Sequence, residues 1–183
     1  LATAVVLDKI VATLMGFATI NGRLPCPATA GSNGDAAPNS ATAACTQAHG
    51  FIPGRTLGLR GSVDANNLMT DAWANAIRYS LTTAGAGSYS NAITLASTAD
   101  LRVCEQSACS TIIADNVVAV VFSMGEDGAI ASASTDQLEN TDADITFVQR
   151  TLSEQTGAEF DDLLNWVSPN TLTYNLVKAG QLQ

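Results

Sequence analysis

The feature that most constrains the fold is the first stretch of the chain, residues 1–27. Apolar side chains recur there at helical spacing, because a helix turns once every 3.6 residues. They form two neighbouring sets that make one wide stripe: Val6, Ile10, Leu14 and Phe17, and Leu7, Val11, Met15 and Ile20. The segment 22–27 contains Gly22, Pro25 and Pro27, which end a helix. We therefore predict a long amphipathic helix over residues 1–21, about 32 Å long at about 1.5 Å per residue.

The rest of the chain lacks a second segment of this kind. Residues 28–50 are small and polar, which predicts a loop. Residues 117–123 are continuously apolar and predict a central strand that is buried on both faces. Ser168 followed by Pro169 predicts the start of a short C-terminal helix that ends at Gly180. Further strand patterns occur at 77–82, 93–95, 101–104, 146–150 and, less regularly, 160–167.

This order of elements predicts an α+β fold in which one long N-terminal helix packs on a mainly antiparallel β-sheet, with a short C-terminal helix. A chain of 183 residues has the length of a single domain. We expect one domain over residues 1–183, with residues 1–22 as a protruding stalk helix and residues 23–183 as a globular head. The two tryptophans, Trp73 and Trp166, are expected to fill the core.

The charge balance excludes several partners. The chain carries 8 Lys and Arg against 17 Asp and Glu, a net charge of −9. Nucleic acids are not expected as partners, since binding phosphates requires a basic patch. Charged residues make up only 14% of the chain, so Ser, Thr, Asn and Gln must supply most of the polar surface. Such a surface is typical of extracellular proteins.

The four cysteines indicate the redox compartment. They fall in two local pairs, and no zinc-like spacing occurs among them. Of the three possible connectivities, we predict the local one, which joins Cys26 to Cys45 and Cys104 to Cys109. Two disulfides would place the chain in an oxidising compartment.

Residues that could carry catalysis are few. His49 is the only histidine and is predicted to lie in a solvated loop. No serine has the surroundings of a hydrolase nucleophile, and no glycine-rich nucleotide motif occurs. Asp161 and Asp162 would point to opposite faces of a strand and could not share a substrate. We predict that the chain is not an enzyme, and a small secreted hydrolase is the least favoured alternative.

An acidic segment supplies the one candidate for a metal site. Ten carboxylates and a single base lie between Glu126 and Asp162. Within it, oxygen-bearing side chains at alternate positions resemble the start of a calcium loop, although the later Gly and Glu of an EF-hand are missing. The candidate ligands are Glu139, Asn140, Asp142 and Asp144. We expect no organic cofactor, and Ca²⁺ as the one candidate ion. The alternative is that these side chains cap turns; Asp71 and Asn75 form a weaker second candidate.

Three segments, taken in order, carry a resemblance to a known family. They are Gly-Phe-Ala-Thr-Ile-Asn-Gly-Arg-Leu-Pro-Cys-Pro-Ala at 16–28, Gly-Phe-Ile-Pro-Gly-Arg-Thr-Leu-Gly-Leu at 50–59 and Asp-Ala-Trp-Ala-Asn-Ala-Ile-Arg-Tyr at 71–79. The later stretches 117–125, 138–150 and 160–180 are also similar, so that the resemblance covers most of the chain. The chain resembles the type IV pilin and pseudopilin-like proteins of Gram-negative bacteria, which have a prepilin-type cleavage and methylation signal. Two departures matter. Ala74 and Ala76 stand where the family commonly has Gly and Pro, and both cysteine pairs lie before residue 110 rather than near the C-terminus.

The resemblance implies a structural subunit, a pilin or minor pilin, of a type IV pilus filament. Its partners would be other pilin subunits, contacted through the N-terminal helix at Val6, Ile10, Leu14 and Phe17. The resemblance also implies a further N-terminal hydrophobic segment before Leu1 that anchors the full-length form in the inner membrane before assembly. The product would be an extracellular filament or a periplasmic one. The alternatives are a pseudopilin of a type II secretion system and a surface- or carbohydrate-binding tip adhesin.

Overall fold

The long N-terminal helix lies on one face of a four-stranded sheet, in a computed structural model that describes residues 2–83, 89–128 and 134–182. The three helices are α1 (Ala2–Asn21), α2 (Thr135–Glu139) and α3 (Pro169–Lys178). The strands are β1 (His49–Phe51), β2 (Arg78–Leu81), β3 (Leu101–Cys104), β4 (Ile112–Val117), β5 (Ala119–Ser123), β6 (Thr146–Val148) and β7 (Leu163–Val167). The predicted α+β fold class, with a long first helix and a short last one, is confirmed.

The strands form two sheets. The larger sheet has the order β1-β2-β5-β7, and all three of its strand pairs are antiparallel. The smaller sheet has the order β4-β3-β6, in which β3 pairs antiparallel with β4 and parallel with β6. The second sheet was not anticipated, because its parallel pair joins segments more than 40 residues apart, a separation that no local pattern predicts.

β5 is the centre of the packing, as its apolar run predicts. All five of its residues are buried. Because side chains alternate across a sheet, Ala119 and Val121 join the core beneath α1, whereas Val120 and Phe122 join a second core that includes Phe147 of β6. The larger sheet is therefore the middle of three layers, between the helices α1 and α3 on one side and the smaller sheet on the other.

α1 ends where its sequence predicts. Gly22 has a φ of 66°, a left-handed conformation that glycine adopts without strain, and its amide donates to the carbonyl of Ala18 at 2.8 Å. The chain then enters the interior, where Leu24 and Cys26 have no exposed surface. The hydroxyl of buried Tyr79 donates to the carbonyl of Pro25 at 3.0 Å. The connection from helix to head is thus anchored in the core.

Several local predictions are wrong. Residues 93–95 form no strand, and residues 49 and 50 belong to β1 rather than to the preceding loop. Trp73 is 41% exposed and does not fill the core, whereas Trp166 packs against the second core from β7. The segment Gly85-Ala86-Gly87-Ser88, whose glycines predict a turn after the strand pattern at 77–82, lies outside the described residues. Of the segment 160–167, predicted as a strand, Leu163–Val167 form β7, whereas Phe160 makes only an isolated bridge to Ser153.

Candidate functional site

The predicted assembly residues of α1 divide into two groups. Ile10 and Leu14 have no exposed surface and pack in the core beneath the sheet. Val6 and Phe17 are partly exposed, and the guanidinium of Arg23 lies over the Phe17 ring at 5.4 Å. The prediction that Ile10 and Leu14 contact other subunits is therefore wrong, because the fold already covers them. The error arises from the width of the apolar stripe, which does not show which side the sheet occupies.

α1 also presents apolar residues on its opposite side, which we call the outer face: Val5, Ala12, Gly16 and Ile20, with Lys9 among them. At 100° per residue these positions lie opposite the buried series, which comprises Thr3, Leu7, Ile10, Leu14 and Ala18. Val5 is 66% and Ile20 77% exposed. The fold therefore leaves most of this face exposed to solvent.

The composition of α1 has a second consequence. The stretch Thr3–Asn21 is long and apolar enough to cross a membrane, and 28% of it is buried in the fold. Length and composition alone support this, and a core helix or a signal sequence has the same properties. Its two charged side chains are Asp8 and Lys9, and the Asp8 carboxylate accepts a hydrogen bond from the Asn165 amide at 2.7 Å. An anchoring role and an assembly role are both compatible with these features.

Three of the four predicted calcium ligands lie together. Glu139 ends α2, and Asp142 and Asp144 follow in the loop to β6, with one carboxylate oxygen of each within 4.8 Å of the others. Partial burial raises the pKa of Glu139, and the nearby carboxylates of Asp142, Asp144 and Asp136 raise it further. The three carboxylates lie close enough together for one cation to contact all of them, and exposed acidic groups also cluster in this way without an ion.

Asn140 does not belong to this cluster. Its side chain is buried, and its amide donates to the carbonyl of Val148 at 3.1 Å and to the Asp162 carboxylate at 2.7 Å, while its oxygen accepts from the Val148 amide. The assignment of Asn140 as a metal ligand is wrong. Asn140, Asp142 and Asp144 are evenly spaced in the sequence, but α2 ends at this point, so their side chains do not share one direction. Asp142 and Asp144 also accept backbone amides, from Asp144 and Thr146 respectively. Turn capping thus accounts for part of the cluster, and Ca²⁺ binding stays a prediction.

The second candidate, Asp71 with Asn75, is a turn. One Asp71 oxygen accepts the backbone amides of Trp73 and Asn75, each at 2.9 Å, and the other accepts the Ser123 hydroxyl. Ala74 within this turn has a φ of 67°, a conformation that favours glycine. The turn therefore keeps the backbone shape that glycine would suit at position 74, and the Asp71 carboxylate is occupied by the protein.

Asp161 and Asp162 diverge, although neither lies in a strand as predicted, since β7 begins at Leu163. Asp161 accepts the backbone amides of Glu126 and Asp127 and the side-chain amide of Gln137. The turn passes so close that a Cβ on Gly125 would lie 2.2 Å from the Asp161 carboxyl carbon. Asp162 points instead to Asn140, and burial raises its pKa to about 7. The two carboxylates therefore serve separate structural contacts.

The role of Asp161 was missed from the sequence. The segment Gly125-Glu126-Asp127-Gly128 predicts a turn, but not that a carboxylate 35 residues away fills it. Asp127 lies close to Asp161. Burial raises the pKa of Asp127, and the neighbouring Asp161 carboxylate raises it further, whereas the hydrogen bond from Gln137 lowers it. The available signal was the pair of glycines, which permits close approach.

All four cysteines are paired as predicted, Cys26 with Cys45 and Cys104 with Cys109. The first bond joins the end of α1 to the loop before β1, and the second closes the turn between β3 and β4. Disulfides persist in oxidising environments, which indicates a location outside the cytoplasm.

His49 is not a solvated loop residue. It begins β1, and its Nδ1 lies 2.9 Å from the hydroxyl of Ser80, its cross-strand neighbour. Burial lowers its pKa more than the carboxylates of Asp144, Asp142 and Asp100 raise it. The imidazole is therefore held mainly neutral, with a hydroxyl beside it.

No family model, curated protein or solved structure matches the chain. The resemblance to pilins and pseudopilins stays a prediction from the sequence segments given above.

Proposed function

We propose that the chain is a structural subunit of a type IV pilus-like filament and that it assembles through the outer face of α1. One observation carries the proposal: a 20-residue apolar helix is gripped on one side by its own core and leaves apolar residues uncovered on the other. The hydrophobic effect favours burying such a face. A helix that must pack twice, inward on the sheet and outward on neighbours, needs the wide stripe that α1 has.

The connection between α1 and the head also supports a role in which force on the helix passes to the head. Leu24 donates its amide to the carbonyl of Tyr89, and Ile93 donates to that of Gly22. The disulfide at Cys26 adds a covalent link a few residues beyond the helix. A subunit pulled through its helix would transmit the force directly to the sheet.

The partners proposed are further copies of the chain or related subunits, in the periplasm or in an extracellular filament, after anchoring in the inner membrane. The apolar composition of α1 is compatible with anchoring in the inner membrane, and the two disulfides are compatible with a location in the periplasm or outside the cell. The proposal includes no catalytic step and no nucleic acid.

Charged substitutions on the outer face test the proposal without damaging the helix itself. Ile20→Lys places a cation near the C-terminus of α1, where it is favourable to the helix dipole, and Val5→Glu places an anion at a position that is 66% exposed. In full-length protein expressed in its host, we expect either change to reduce filaments sheared from the cell surface at least about tenfold, because a buried contact is lost. The control is Leu152→Glu, at a residue that is 70% exposed on the head.

Two results would contradict the proposal. One is normal filament recovery in both outer-face variants. The other is wild-type protein that remains in the membrane fraction and is absent from every sheared filament, which would leave α1 as an anchor alone.

A further inference from the structure

A cavity of about 110 Å³ opens where β1 and β2 meet the loop that follows α2. Its walls include His49, Arg78, Ser80, Phe122 and Thr141. Sites for drug-sized ligands usually exceed about 300 Å³, so this one suits a small ion or a single functional group.

Arg78 is held in this cavity by the strand register. It pairs directly with Phe51 of β1 on one side and with Phe122 of β5 on the other. Its guanidinium carbon lies 4.6 Å from the centre of the Phe51 ring. The cross-strand neighbours are thus both aromatic, and neither offers an acceptor oxygen to the side chain.

The guanidinium lacks a counter-ion. Its Nε is buried without a hydrogen bond, and no carboxylate forms an ion pair with Arg78 in the part of the chain that the structure describes. Burial lowers the pKa of Arg78. Removing a cation from water without a partner is costly. On the cavity wall the Ser80 hydroxyl can donate to an anion when the His49 Nδ1 beside it carries the ring proton, whereas the Thr141 hydroxyl already donates to the carbonyl of Leu138.

We propose that the cavity binds a small oxyanion, a carboxylate or phosphate group, with Arg78 as the counter-ion. The fork of N–H donors on a guanidinium matches the oxygens of such groups. Asp142, Asp144 and Asp100 act electrostatically on neighbouring His49, and their charge opposes an incoming anion. Binding is accordingly weak and depends on salt, and it selects a group small enough to reach Arg78.

The experiment is an NMR titration of the whole chain with inorganic phosphate and, separately, with acetate, at ionic strength matched with chloride. We expect saturable shifts of the Arg78 Nε–H and of the His49 ring signals, and none of the Nε–H of Arg60, an exposed arginine outside the cavity. The anion with the lower Kd identifies the preferred group as phosphate or carboxylate.

Two variants sharpen the test. Arg78→Gln should weaken binding at least about tenfold, because it removes a charge-assisted hydrogen bond, whereas the matched change Arg60→Gln should leave Kd unaltered. The double change Asp142→Asn with Asp144→Asn should tighten binding, since it removes the opposing charge. The proposal is overturned if the wild-type shifts do not saturate with either anion or are the same at Arg78 and Arg60. Because both of these results are measured on the wild type, they test the proposal even if Arg78→Gln fails to fold.

Discussion

Replacing Asp162 by asparagine should change how stability depends on pH. Asp162 is only 5% exposed, and in the part of the chain that the structure describes its carboxylate accepts a hydrogen bond from the side-chain amide of Asn140 at 2.7 Å. Burial raises its pKa to about 7, and the nearby carboxylates of Asp161 and Asp127 act in the same direction. Asparagine has nearly the same shape, and its oxygen can still accept from Asn140.

The magnitude follows from the pKa shift. The pKa of Asp162 moves from 3.8 to about 7 on folding, a change of about 3 units, and each unit is worth about 1.36 kcal/mol. Because the folded state holds the proton more tightly, this contribution is fully present below pH 4 and is lost as pH rises through about 7. The wild type should lose about 4 kcal/mol through this group between about pH 4 and pH 8.

Urea unfolding followed by tryptophan fluorescence measures the effect, with wild type and Asp162→Asn compared at about pH 4 and about pH 8. Glu139, whose pKa is also raised, occurs in both proteins and cancels in the difference, and Asp127 cancels apart from its interaction with Asp162. We expect the variant to match the wild type at the lower pH and to exceed it by about 4 kcal/mol at the higher pH. Parallel pH profiles for the two proteins would refute the reasoning, since they would show that Asp162 titrates normally.

Three further predictions concern stability, each measured by the same urea assay. Leu14→Ala should lower the free energy of unfolding by about 2–5 kcal/mol, because it opens a cavity in the core, whereas Ile20→Ala on the outer face should change it by less than about 0.5 kcal/mol; equal effects would contradict the assigned orientation of α1. Ala74→Gly should stabilise the chain by about 0.5–1 kcal/mol, since it relieves a left-handed alanine, and a loss would show that the Ala74 methyl packs usefully. Replacing both Cys26 and Cys45 by serine should cost about 3 kcal/mol, and an unchanged midpoint would mean that this loop is ordered without its bond.

Local sequence patterns predicted the elements that depend on few residues. The end of α1 at Gly22 could be predicted, because the left-handed conformation that glycine adopts without strain is a property of the backbone within one turn of the helix. The apolar run at β5 required burial on both faces wherever the strand was placed. The cysteine pairs are close in sequence, so little chain entropy opposes their closure.

The candidate sites depended on orientation, which is a property of the whole fold. The stripe on α1 made both Leu14 and Ile20 eligible for burial, and only the position of the sheet places Leu14 inside and Ile20 outside. Asn140 shares its spacing with Asp142 and Asp144, yet it turns inward because Val148 and Asp162 supply partners there. No pattern within the segment contains those partners.

The sequence by itself determined that a long apolar helix precedes a strand-rich, disulfide-bonded region, because periodicity, helix-ending residues and local cysteine pairs are short-range properties. Only the tertiary structure decided which face of that helix remains uncovered, that a second sheet covers β5, and that Arg78 lies against the Phe51 ring with no ion pair among the described residues. These arrangements arise from contacts between segments far apart in the chain. The free energy of each arrangement depends on which side chains are buried and which are paired, and both are decided only when the layers pack together.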